Sequence, residues 1–170
     1  MDFNILIDEK IINNRVRELA KSIDIYYSNS NLVMVSVLKG SFMFFSDLVK
    51  NMELFPEIDF IAFKSYEKNR SVGVVSKYLN LSIDIEGKDV LIVEDIVDSG
   101  KTILEILKYI KDFNPKSIKV ITLLNKPSNH KISKQIDWIG FNIKDKFIFG
   151  YGLDYNHKYR NIKDIVIANE

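Results

Sequence analysis

Two hydrophobic periods alternate along the chain. Ile12, Val16, Leu19 and Ile23 fall three or four residues apart, so they share one face of a helix that Asp8 can cap. Leu32 to Leu38 reads as a continuous apolar run, which predicts a strand buried on both faces. Lys39-Gly40-Ser41 forms a tight turn into a second helix, with Phe42, Phe45, Leu48 and Val49 facing inward. Ile58 to Lys64 predicts another strand. Ser65 to Val75 is polar, charged and unpatterned and reads as a mobile loop, after which Lys77 to Leu81 could return as a strand. Asp84 to Lys88 is a turn. A helix follows from Gly100 to about Phe113, where Asn114-Pro115 stops it, and Ile118 to Leu124 is the next buried strand. The last third holds short strands near Trp138, Phe147 and Ile165. Strands alternating with helices predict an α/β fold: a parallel-sheet core with flanking helices. The irregular last third and the N-terminal segment together predict a small cap subdomain over the strand ends.

Length and composition change this picture little. With 170 residues the prior is a single domain, 1–170, with a sizeable core. A net charge of +1 gives no global electrostatic case for nucleic acid or a membrane surface. A local cluster of Lys and Arg would still suffice for a small polyanion. The absence of cysteine excludes disulfides and thiolate chemistry. His130 and His157 are far apart in polar segments and read as surface residues rather than metal ligands. No apolar run approaches the ~18 residues of a membrane span, and Met1-Asp2-Phe3-Asn4 begins no signal peptide, so a cytoplasmic location is expected. Glycine is scarce, at 7 residues, which makes Gly40, Gly100, Gly150 and Gly152 informative: each falls where a loop is expected.

The chemistry concentrates between Val90 and Thr102. Four apolar residues, Val90 to Val93, run into Glu94 and Asp95; Asp98 follows, then the turn Ser99-Gly100-Lys101-Thr102 opens a helix. In an open α/β sheet ligands bind beyond the carboxyl ends of the strands. Three carboxylates there, beside a turn whose N–H groups can grip a phosphate, point to a ligand with hydroxyls and phosphates and to a divalent metal. A P-loop is set aside, because the glycine it needs five residues before Gly100 is Asp95. A phosphoreceiver domain would carry its acid pair after the first strand, not at mid-chain. A merely solvated charged turn does not explain three acids placed directly after a buried strand.

This stretch resembles the phosphoribosyl-diphosphate (PRPP) motif of the type I phosphoribosyltransferases. The resemblance implies that Glu94 and Asp95 meet the ribose hydroxyls and lie near Mg2+, and that Asp98, Ser99, Gly100, Lys101 and Thr102 receive the 5′-phosphate. Leu38-Lys39-Gly40-Ser41-Phe42 is similar to the pyrophosphate turn of the hypoxanthine-guanine branch, which assigns Lys39 and Gly40 to pyrophosphate. Lys126, in Asn125-Lys126-Pro127, matches a lysine that faces purine O6 in that branch. Three donors and no acceptor suit a 6-oxo base better than adenine. Taken alone, Lys126 would read as a snorkelling surface residue.

Lys146 to Tyr155 resembles the purine-binding segment of the same branch. Phe147 would stack on the base, the backbone of Ile148 would bond its edge, and Asp154 would hold a second magnesium. Arg160 would meet pyrophosphate, a task suited to a planar guanidinium. Ser65-Tyr66 matches the start of a flexible lid, although Glu67-Lys68-Asn69-Arg70-Ser71 is more charged than the family's small-residue loop. The implied reaction joins hypoxanthine or guanine to PRPP, with Asp98 taking the purine N7 proton. The implied assembly is a homodimer or homotetramer, with no nucleic-acid or membrane partner. A regulator of this fold that binds RNA, and a transferase for xanthine or a pyrimidine, are the alternatives.

Overall fold

The computed structural model describes residues 2–66 and 74–168. Its elements, in chain order, are β1 (Phe3–Ile7), α1 (Glu9–Tyr26), β2 (Leu32–Leu38), α2 (Phe42–Lys50), β3 (Glu57–Tyr66), β4 (Val74–Leu79), β5 (Asp89–Val97), α3 (Lys101–Lys111), β6 (Ser117–Asn125), β7 (Trp138–Asn142), β8 (Ile148–Phe149) and β9 (Ile165–Ala168). The main sheet has the order β4-β3-β2-β5-β6-β7. Every neighbouring pair from β3 to β7 is parallel, and β4 adds an antiparallel edge.

The strand faces explain the layers. Met34, Leu91, Val93 and Ile121 pack toward α1 and α2, while Val33, Val35, Val90, Ile92 and Val120 pack toward α3. Period-two alternation thus appears inside runs that look uniformly apolar, because both faces are covered. Asp8 caps α1 as its pattern predicts, accepting from the Ile11 N–H at 3.0 Å. Ile12, Val16, Leu19 and Ile23 are buried against the sheet. Each such aliphatic side chain contributes about 1.5–3 kcal/mol of burial.

The strand order reverses between β2 and β5: the chain steps outward from β2 to β3, then returns to the other side of β2. That reversal is a switch point, where the loops leaving β2 and β5 diverge and open a crevice. The cap is a small antiparallel sheet of order β1-β9-β8, pairing the N-terminal segment with the end of the described chain.

Four expectations need correcting. Phe42 is 41% exposed and Phe44 is buried in its place. The inward stripe of α2 is Phe44, Phe45 and Leu48, and Phe42 lies about 200° around the helix from Phe44. Ser65 and Tyr66 do not open a loop: they end β3, paired with Val75 and Val74 of β4. The rest of the expected lid, 67–73, lies outside the described residues. The segment near Trp138 belongs to the main sheet, as β7 beside β6, and not to the cap. Finally, β5 runs through Val97, so Glu94 and Asp95 are part of the strand rather than residues after it.

Candidate active site

The crevice at the switch point is a cleft of about 590 Å³. Its walls include Lys39 and Gly40 after β2, Glu94, Asp95 and Asp98 from β5 and its loop, Ser99, Gly100 and Thr102 at the head of α3, and Asp154 and Arg160 from the cap. Ten residues assigned from the sequence therefore share one cavity. Phe63, Ile96 and Ile103 add apolar wall that no motif signals. Lys101 points elsewhere: it is exposed and does not line the cleft.

Gly40 lies against Asp95, a proximity that the sequence does not show. A Cβ there would land on the Asp95 carboxylate. The bond between Leu38 and Lys39 is cis. At the other end of the cleft, no side chain caps α3, which starts after Gly100 at φ +75°. Its first-turn N–H groups are left for an incoming anion.

The acids differ in environment. Burial pushes the Glu94 carboxyl well above the usual range, and repulsion from Asp95 adds to the effect. Glu94 Oε2 is buried without a hydrogen-bond partner. Burial also raises Asp95, against the pull of hydrogen bonds from Glu94 and the backbone and of the Arg160 charge. Asp98 goes the other way. Its burial opposes ionisation, but hydrogen bonds from Asn129 and Lys126 outweigh that and hold the carboxyl below the usual range. Asn129 Nδ2 donates to Oδ1 at 2.8 Å and Lys126 Nζ to Oδ2 at 2.9 Å.

Lys126 is 6% exposed, which excludes a surface lysine. It is held at the end of β6, where its N–H bonds the Val97 carbonyl at 2.9 Å. Its ammonium also donates to Asp145 Oδ1 at 3.0 Å. Burial alone would lower its pKa, but the two carboxylates raise it. Neither Asn129 nor Asp145 carries a sequence signal; both read as ordinary turn residues until β6 and the loop before β8 bring them together.

In the cap, Arg160 bonds Asp154 Oδ1 at 2.7 Å and donates to the Gly152 carbonyl at 2.6 Å. Asp154 Oδ2 accepts the His157 N–H at 2.8 Å. Phe147 precedes β8, 56% exposed, with its ring edge-to-face with Tyr155 at 5.4 Å. Ile148 is buried within β8. His157 is exposed as expected, while His130 is half-buried against Asn125 Oδ1 at 2.7 Å.

Among the described residues, no three or more His, Cys, Asp or Glu side chains gather into a metal-holding group. A closed protein cage is thus not what the site offers. The unpartnered Glu94 oxygen and the Asp95 carboxylate beside it are both oxygen donors on the cleft wall, the chemistry that suits an ion held by one or two carboxylates plus substrate oxygens.

Residues 4–156 match the phosphoribosyl transferase domain, and the chain belongs to the phosphoribosyltransferase family. It is 43% identical over 159 residues to the hypoxanthine phosphoribosyltransferase of Buchnera aphidicola, covering 92% of this chain and 90% of that one. The structure of a hypoxanthine-guanine phosphoribosyltransferase from Bacillus anthracis matches with a TM-score of 0.92 at 37% identity, over 98% of both chains. The Trypanosoma cruzi hypoxanthine phosphoribosyltransferase, solved with its product IMP, matches with a TM-score of 0.88 at 36% identity, over 97% and 93% of the two chains. Within the family the chain sits in the hypoxanthine (guanine) branch.

Proposed function

We propose that this chain, as one phosphoribosyltransferase domain spanning 1–170, is a purine-salvage enzyme. It transfers the 5-phosphoribosyl group from PRPP to hypoxanthine or guanine, giving IMP or GMP and pyrophosphate. The observation that carries this reading is Asp98 at the end of the acidic strand β5: it lines a cleft with Lys39 and Arg160, and it pairs with the buried Lys126, which is not itself part of that lining.

The residues divide by chemistry. Glu94 and Asp95 are read as the acceptors for the ribose hydroxyls, which their position on the cleft wall supports. Ser99, Gly100 and Thr102, with the free N–H groups of α3, receive the 5′-phosphate, and Lys101 adds distant positive charge. Lys39, the Gly40 backbone and Arg160 meet pyrophosphate, stabilising charge as it develops. The exposed ring of Phe147 offers a face to the base, and the Ile148 backbone offers polar groups to its edge. Lys126 donates to purine O6. Asp98 is held ionised and accepts the N7 proton while N9 bonds to ribose C1, and the C1–oxygen electron pair leaves with pyrophosphate. Ser65 and Tyr66 lead into the segment read as a lid.

Mg2+ is the inferred cofactor. When bound it neutralises diphosphate charge, with Glu94 and Asp95 at one position and Asp154 at a second as its protein ligands. Asp154 and Arg160 form an ion pair at 2.7 Å in the cleft, which supports reading the two together at the pyrophosphate. The enzyme is read as a cytoplasmic homodimer or homotetramer whose partners are its small-molecule substrates, with no nucleic acid or membrane. Turnover of PRPP with a panel of free bases, with and without magnesium, tests the proposal. Hypoxanthine or guanine should be converted and adenine and uracil should react poorly; equal use of adenine or a pyrimidine overturns it.

A further inference from the structure

Lys126 carries one ammonium and two carboxylates share it. Asp98 lies 2.9 Å away and Asp145 3.0 Å away, on the opposite segment that leads from β7 into Phe147. The lysine side chain is 8% exposed, whereas those of Asp98 and Asp145 are 50% and 63% exposed. The cation is therefore the buried member, and it depends on its partners.

The reaction removes one of those partners. As purine N7 gives its proton to Asp98, that carboxylate becomes a neutral acid. Purine O6, which Lys126 meets, is a neutral acceptor and supplies no countercharge. With Asp98 as its sole partner, Lys126 would become an unpaired buried cation at the moment of bond formation, which is strongly unfavourable. Asp145 lies outside the proton transfer and keeps its charge throughout. Its bond to the ammonium, at 3.0 Å, is nearly as short as that of Asp98, at 2.9 Å.

We propose that Asp145 is a positioning residue for the 6-oxopurine, one that holds Lys126 toward O6 and balances its charge while Asp98 is protonated. The inference rests on the roles of Lys126 and Asp98 given above. It concerns the base alone, because Asp145 does not line the cleft that takes the phosphates.

Steady-state kinetics on the full chain with Mg2+, PRPP and hypoxanthine test it, using Asp145→Asn and Asp145→Glu. Asp145→Asn should lower kcat/KM for hypoxanthine by ~10-fold or more, the scale of one charge-assisted hydrogen bond. KM for PRPP should stay within about twofold, since no phosphate contact is touched. Asp145→Glu keeps the charge and should recover much of the loss. An unchanged kcat/KM in Asp145→Asn overturns the inference, as does a loss shared equally by PRPP, or an Asn variant as active as the Glu variant. If the unaltered enzyme itself fails to use hypoxanthine, the functional reading falls instead, so the two failures are distinguishable.

Discussion

Glu94 and Asp98 are four residues apart on one strand end, yet their carboxyls are driven in opposite directions. Glu94 is buried beside another acid, with one oxygen lacking any partner, and is pushed toward its protonated form. Asp98 faces an amide and an ammonium and is pulled toward its ionised form. The sequence Glu-Asp-Ile-Val-Asp treats the three acids alike. What separates them is the neighbour each acquires when β6 and the loop after it fold alongside β5. Asp98 is kept charged by two donors, while Glu94 is left with a buried oxygen that has none.

The largest break in this contrast should come from Asp98→Asn, which keeps the shape and removes the proton acceptor. Loss of a general base costs ~10²–10⁴ in rate. The turnover number should fall by that range with PRPP binding little changed, as single-turnover and binding measurements would show; wild-type turnover would remove Asp98 from the role of base.

Lys126→Gln should come next. It removes the cation that holds Asp98 ionised and replaces three donors with an amide that also accepts. A charge-assisted hydrogen bond is worth ~1.5–3 kcal/mol, so kcat/KM for hypoxanthine should drop by about 10- to 150-fold. The gap to adenine should narrow, because the amide oxygen can accept from a 6-amino group. Comparing kcat/KM for both bases in both proteins decides it, and an unchanged ratio would count against contact with the base.

Gly40→Ala probes the acid pair sterically. Its methyl would displace the Asp95 carboxylate. Overpacking of this kind costs ~1–3 kcal/mol, and the damage should appear in KM for PRPP and in magnesium dependence before it appears in base selectivity. A variant with wild-type KM for PRPP would show that Asp95 can move without consequence.

Glu94→Gln should give the smallest effect and the opposite sign. A carboxyl whose folded pKa is raised binds protons in the native state that the unfolded chain has lost, so stability falls as pH rises through that window. Above the raised value the penalty is fully present. In chelator at neutral pH the variant should melt higher, by roughly 2–4 °C for each kcal/mol recovered. The gain should vanish below the ordinary glutamate range. Asp98 has the reverse linkage: its contribution is present above the ordinary aspartate range and is lost as pH falls through its lowered value. Thermal melts of both variants across pH should therefore diverge, and parallel curves would refute the contrast.

Much of this was legible in the chain. The buried strands, the Asp8 cap and the helix after Gly100 follow from periodicity and capping chemistry. The acids followed by a hydroxyl-rich turn mark the ligand end of β5. What stayed hidden depends on tertiary contact. Phe42 and Phe44 are equally apolar, and only the docking angle of α2 chooses between them. Ser65 and Tyr66 look like loop residues because their strand partners, Val75 and Val74, follow a polar stretch. Asp145 and Asn129 show nothing locally, since the partner of Asp145 is Lys126, 19 residues before it, and that of Asn129 is Asp98, 31 residues before it. The cap path from Gly150 to Ile162 is held by cross-bonds such as Tyr151 N–H to the Ile162 carbonyl at 2.7 Å. Tyr151, Asn156, His157 and Tyr159 sit at positive φ along this path; Asn and His favour that region, but nothing in a tyrosine predicts it at 151 or 159.

The two glycines at the mouth of the cleft meet face to face. The space a side chain would need at Gly152 is filled by the Gly40 carbonyl, and the space at Gly40 is filled by Asp95. The cap and the turn after β2 thus touch bone to bone, with no rotatable side chain as a cushion. Tyr151 Oη donating to Asp47 Oδ2 at 2.7 Å ties the cap to α2 nearby, while at this point of contact the spacing between the cap and the turn after β2 is set by main chain, like a machinist's gauge block. Rotamer hopping cannot retune it. A single methyl at Gly152 would meet the Gly40 carbonyl, so main chain on one side of the joint would have to move to admit it, and the change would be felt in the turn after β2 that lines the cleft.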